Sequence, residues 1–137
     1  MQKQIQLTTL LGITMKITWD GQLVLTAPFT GNTNHIGSAF AGSLGSIATL
    51  AGWARISLLP CKRGVTANVL IQDSSIQYLR PVLSDFEASP EMLRKGNLDN
   101  FLETLRRKGR SPVQVNVRIR DADGSAVTFS GRYIAFI

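Results

Sequence analysis

The hydrophobic positions along this chain change period several times, and each change marks an element. Met15, Ile17 and Trp19 alternate with Lys16 and Thr18, which predicts a strand, and Asp20-Gly21 after them is a hairpin signal. The partner strand is expected over residues 22–27, with Leu23 and Leu25 on its buried face. A loop rich in Gly, Asn and Thr follows over residues 28–34. Ahead of this hairpin, residues 2–11 suit a short helix anchored by Ile5 and by Leu10 or Leu11. Residues 65–71 and 76–83 read as extended, with Asp73-Ser74-Ser75 between or within them. Over residues 97–108 the spacing turns helical: Leu98, Phe101, Leu102 and Leu105 form one stripe, and Gly109 is the expected stop. Val113, Val115, Val117 and Ile119 then alternate with Gln114, Asn116, Arg118 and Arg120, a one-sided strand. Asp123-Gly124 turns the chain, and residues 126–137 close it as a last strand.

The most informative stretch is residues 36–59. From Ile36 to Ala54 nineteen residues pass without a formal charge, long enough to span a bilayer. Eight of the nineteen are Gly, Ser or Thr, and each glycine costs a helix interior roughly 1 kcal/mol against alanine. With short strands close on either side, this composition argues against a membrane span. It suits a helix whose backbone lies close to a sheet, with Ala41, Gly42, Gly45, Ala48 and Ala51 admitting the approach. Phe40, Leu44, Ile47, Leu50 and Trp53 supply bulk elsewhere on its circumference, and Pro60 is the expected stop. An antiparallel sheet curled around this long central helix satisfies the element order, which gives an α+β fold in one domain over residues 1–137.

Composition narrows the chemistry. One cysteine (Cys61) and one histidine (His35) provide neither an internal disulfide nor a zinc site. A net charge of +6 favours an anionic partner. Nucleic acid is not the expected one, because the chain has no basic strand studded with aromatic residues and no recognition-helix motif. The amino-terminal residues 1–15 lack an uninterrupted apolar run, so a signal peptide is not expected and the location expected is cytoplasmic.

The run Asn34-His35-Ile36-Gly37-Ser38-Ala39-Phe40-Ala41-Gly42 resembles the start of the central helix in hot-dog thioesterases. The wider segment from Gly37 to Leu44, together with Ala51-Gly52-Trp53, is similar to the thioesterase-like domain at the C-terminus of YiiD-type proteins. The stretch from Ile71 to Pro81 and the closing Gly131-Arg132-Tyr133-Ile134 fit the same branch, so the resemblance covers nearly the whole chain. It implies a hot-dog fold and a homodimer whose sheets join, with two acyl sites at the junction. The implied ligands are thioesters of coenzyme A or of an acyl-carrier protein, with coenzyme A as part of the substrate and no separate cofactor.

On this resemblance the amides of Ala41 and Gly42 are the expected oxyanion donors, aided by the helix dipole. Asn34 stands where the fold carries an asparagine that orients water or the carbonyl; the alternative is a turn or cap residue. Two departures matter. Phe40 occupies the position of the usual histidine, and Thr49 that of the carboxylate nine residues beyond it. Asp73 is the substitute base expected, partly desolvated and acting across the dimer, against the alternative of a polar residue at a strand break. Arg106, Arg107 and Lys108 at a helix end, with Arg80, are expected to meet the phosphates of coenzyme A or an acidic carrier protein. The expected activity is acyl-thioester hydrolysis. The alternative is a binding module for the same esters without catalysis.

Overall fold

The computed structural model describes residues 5–91 and 93–137. The amino-terminal residues 1–4, where the first predicted helix was to begin, lie outside the described part. Helix α1 occupies Leu7–Leu11, and strands β1 (Thr14–Ile17) and β2 (Leu23–Ala27) form the hairpin expected around Asp20-Gly21. Helix α2 (Ala41–Lys62) follows, then β3 (Asn68–Tyr78), β4 (Phe86–Pro90), α3 (Lys95–Lys108), β5 (Arg110–Asp121) and β6 (Gly124–Phe136). The six strands form one antiparallel sheet in the order β1-β2-β4-β5-β6-β3, so β1 and β3 are its edges.

Alternation sets which face is inside. Val115, Val117 and Ile119 of β5 and Val127, Phe129, Tyr133 and Ala135 of β6 are buried, and Leu44, Ile47, Ala48 and Ala51 of α2 belong to the same core. Residues of both sheet edges, Met15 from β1 and Leu70 and Ile71 from β3, come round to line one groove over α2. This is the hot-dog arrangement: α2 lies inside the curl of the sheet. By length and composition alone α2 could cross a membrane; half of that apolar window is buried inside the molecule, Leu44, Ile47, Ala48, Leu50, Ala51, Ala54 and Ile56 among it. Gly52 shows how close that packing is. A methyl group there would overlap the Tyr133 hydroxyl, which donates to the Thr49 carbonyl at 2.7 Å.

The structure corrects four boundaries. Helix α2 begins at Ala41, four residues after the expected start near Gly37, because Asn34 folds the preceding segment into a turn. It continues through Pro60 to Lys62, with the Pro60 carbonyl accepting from the amides of Arg63 and Val65. The two extended segments on either side of Asp73 are one strand, irregular between Ile71 and Asp73, where Gln72 is the extra residue. Strand β4 was not anticipated, although its buried Phe86, Ala88 and Pro90 alternate with Glu87 and Ser89. Helix α3 ends as expected at Gly109, whose φ of 76° is the left-handed conformation of a helix stop.

Candidate active site

The segment ahead of α2 is fixed before the helix begins. The Asn34 side-chain oxygen accepts from the amides of Ile36 and Ser38, both at 3.0 Å, and its Nδ2 donates to Ser38 Oγ at 2.7 Å. Two backbone bonds then anchor the approach to the helix, Ala39 N–H to the Val82 carbonyl at 2.8 Å and Phe40 N–H to the Asn32 carbonyl at 2.7 Å. Asn32, which sequence reasoning passed over, is buried, and its Nδ2 donates to the carbonyls of Leu11 and Pro28. Its signal was weak, since one Asn in a Gly-, Asn- and Thr-rich loop does not announce burial.

At the helix start, the Phe40 carbonyl accepts from the amides of Ser43 and Leu44. The amides of Ala41 and Gly42 have no hydrogen-bond partner among the described residues, and both residues are exposed. They are donors of the first helical turn, at the positive end of a 22-residue helix with no acidic residue in that turn. A carbonyl oxygen that gathers negative charge is the group such a pair accommodates. Phe40 is 55% exposed, and its ring lies against the Gly42 Cα. Tyr78, at the end of β3, reaches the same turn: its hydroxyl lies 3.4 Å from the Ala41 carbonyl.

Away from this point the open side of α2 forms a groove of about 960 Å³ between the two sheet edges. Leu50, Trp53, Leu58, Leu70, Ile71 and Tyr133 are among its walls, and none of its lining residues is a carboxylate. Thr49 also lines it, at the position where a helical carboxylate was sought; its hydroxyl donates to the Gly45 carbonyl at 2.8 Å. Burial pushes the Tyr133 hydroxyl above the usual phenol range.

The other expected site residues lie elsewhere. Asp73 is exposed and stands directly opposite Arg132, whose neighbours Thr128 and Ser130 lie on the outer face of β6. Partners opposite one another in an antiparallel pair share a face, so Asp73 points away from α2. The bulge at Gln72 produces this, by shifting the alternation one residue ahead of Asp73. The desolvation expected for Asp73 is absent in the single chain. Arg80 is engaged within the chain. Its guanidinium grips Asp121 at 2.6 and 3.0 Å and donates to the carbonyls of Gly124 and Pro81. That grip holds the Asp121 carboxyl down to about 2 and ties the Arg80 guanidinium to the β5–β6 turn. Arg106, Arg107 and Lys108 are exposed at the C-terminal end of α3. His35 is exposed in the loop ahead of α2.

A long helix inside a curled antiparallel sheet, opening on two unpaired amides, places this chain in the hot-dog class. The chain belongs to the family described as "Putative thioesterase (yiiD_Cterm)", which it matches over residues 1–137. Its fold is shared with a Chlorobaculum tepidum protein of unknown function (24% identity, TM-score 0.91, covering 98% of this chain and 88% of that one). It is shared too with a protein from Shewanella oneidensis described as a "putative thioesterase" (25% identity, TM-score 0.84, 99% and 91% covered). A Bacillus halodurans protein solved with CoA is similar in fold at 14% identity, with a TM-score of 0.73 over 99% of this chain and 84% of that one.

Proposed function

We propose that this protein binds an acyl thioester, of coenzyme A or of an acyl-carrier protein, and hydrolyses it slowly. The observation that carries the reading is the pair of amides of Ala41 and Gly42 at the exposed start of α2, without partners among the described residues, on the same helix that lines an apolar groove from Thr49 onward. The thioester carbonyl sits at those amides, which stabilise the oxyanion formed when water adds to the carbonyl carbon. Collapse of that adduct breaks the C–S bond and releases the free acid and a thiol. Asn34 acts through the turn it builds, as a positioning residue that sets where α2 begins. The proposed location is the cytoplasm, and the proposed assembly is a homodimer joined along β3.

A base is the missing part. Among the described residues the groove has no carboxylate on its walls, and Asp73 faces the outer side of the sheet. Turnover therefore falls short of a complete thioesterase by roughly the 10²–10⁴-fold that a positioned base contributes. The same observation favours the second reading, a module that binds acyl thioesters without turning them over. A panel of short to long acyl-CoA esters assayed by thiol release separates the two. Slow, saturable release supports the hydrolase. Tight binding with no release supports the module, and neither binding nor release would sink both.

A further inference from the structure

Where β3 and β5 begin and β6 ends, the outer face of the sheet changes character. Pro112, Ile134 and Leu70 stand directly opposite one another across three strands, and Arg110, Phe136 and Asn68 form the next row. Opposed residues share a side of the sheet, and Ile134 and Phe136 continue the side that carries Thr128, Ser130 and Arg132. Leu70 is 60% exposed and Pro112 is exposed, while Ile134 and Phe136 are half-buried. Ile137, 65% exposed, follows at the end of β6, where its amide donates to the Gly109 carbonyl at 2.9 Å. Further along the same face the side chains are polar, with Ser130 opposite Asn116 and Thr128 opposite Arg118. An apolar patch rimmed by polar groups marks a surface built for contact.

Cations surround this patch. Arg110 lies within it, and Arg132 precedes Ile134 by two residues on the same face. The bond between Ile137 and Gly109 brings the end of α3, with exposed Arg106, Arg107 and Lys108, to its border. The last turn of α2 adds exposed Lys62 and Arg63, because Cys61 lines the groove beside Thr66 and Asn68. Against these stand Asp73, opposite Arg132, and Glu103, one turn before Arg107. The carboxylates of Asp85, Asp121 and Asp123 gather at the far end of β5, about 35 Å away along a strand of twelve residues. An apolar centre ringed by cations from several elements complements a surface that is anionic outside and apolar beneath, which describes an anionic phospholipid bilayer. An acidic protein would meet the cations but gives no reason for the apolar row. We propose that this end of the molecule docks peripherally on anionic phospholipid membranes, with its cations at the headgroups and Leu70 and Ile137 at the acyl boundary. Asn68, Leu70 and Phe136 also line the groove over α2, so docking brings that groove against the lipid. The inference stands independently of the thioester reading.

Vesicle co-sedimentation of the full chain tests this, with vesicles of phosphatidylcholine alone and of phosphatidylcholine mixed equally with phosphatidylglycerol. Wild type is expected to pellet with the mixed vesicles, to stay in solution with the neutral ones, and to be released as salt is raised. Each cation near an anionic surface contributes about fivefold to partitioning, so Arg106→Gln, Arg107→Gln and Lys108→Gln together should weaken binding about 100-fold. Leu70→Ser with Ile137→Ser keeps every charge and should weaken it by about tenfold or more through the lost apolar area. Both variants change exposed side chains, and melting curves matching wild type show that they fold. Binding that does not distinguish the two kinds of vesicle, or binding to neither, overturns the proposal. So does either variant binding as tightly as wild type. A wild type that ignores vesicles while Leu70→Ser with Ile137→Ser lowers its mass in sedimentation has the patch covered by a second copy, which also overturns it. Capture of wild type by an immobilised acidic carrier protein, lost in the triple variant and without binding to vesicles, gives the cations to a protein and overturns it as well.

Discussion

Gly42 and Gly52 stand ten residues apart on one helix, yet an added methyl group meets different things at each. At Gly42 it runs into the ring of Phe40, which is exposed and free to swing aside. At Gly52 it runs into Tyr133, fully buried and held by its bond to the Thr49 carbonyl. Gly42→Ala should therefore leave thermal stability unchanged within about 0.5 kcal/mol, with the helix gaining from alanine's better propensity. Gly52→Ala should cost about 2–3 kcal/mol through overpacking and the lost hydrogen bond. Denaturant titrations of the two variants decide, and equal effects would show that α2 is not seated against β6 as described. Because Asp73 shares the outer face with Arg132, Asp73→Asn should leave thioester turnover within about twofold. A drop of the roughly 10²–10⁴-fold expected for a lost base would return that role to Asp73.

The end of β3 and the β5–β6 turn are joined by the Arg80–Asp121 pair, whose carboxylate side chain is fully buried. Asp121 titrates at about 2 in the folded chain against 3.8 in the unfolded one. A carboxyl held down in this way adds stability that is complete above the unfolded value and is lost as pH falls through the folded one. The loss runs from about pH 5 to pH 2 and amounts to roughly 1–2 kcal/mol once solvent around Arg80 is allowed for. Arg80→Met should flatten the stability profile across that window, and an unchanged profile would remove the pair from the account. Nothing local announced this clasp, because its partners lie 41 residues apart. The elements with strong periodicity were legible: the β1–β2 hairpin, the α3 stripe with its glycine stop, and the alternation of β5. The start of α2 was not, since Gly37 and Ser38 suit a helix and a turn alike until the Asn34 side chain bonds to the turn's amides. The face of Asp73 was not either, because one extra residue at Gln72 inverts what strict alternation predicts. Strand β4 was hidden by its shortness and by Pro90, a residue that argues against strand.

For the whole molecule, the sheet leaves β3 as a long edge bearing exposed Leu70, Ile71, Tyr78 and Leu79 along or just beyond it. An edge of that length and apolarity invites another strand. The account expects two 15.0 kDa chains to travel together in sedimentation experiments at micromolar concentration. Leu70→Lys with Ser75→Lys, which sets like charges across the junction, should weaken the dimer at least tenfold. A wild-type monomer at that concentration would contradict this assembly. The resemblance around Asn34 to Gly42 pointed at the amides of Ala41 and Gly42, which have no hydrogen-bond partner among the described residues, while the boundary of the helix was not legible.

The most direct test of those amides is the single substitution Ala41→Pro. Phe40 already has φ −67° and ψ 133°, the conformation that a following proline demands, and proline is well accommodated at the first helical position. The change therefore deletes one N–H and leaves α2 standing. The measurement is kcat for acyl-CoA thiol release, with the melting temperature recorded on the same preparation. The account predicts a fall of about 10²–10³-fold at a melting temperature close to wild type. Undiminished turnover in a folded Ala41→Pro protein would contradict it.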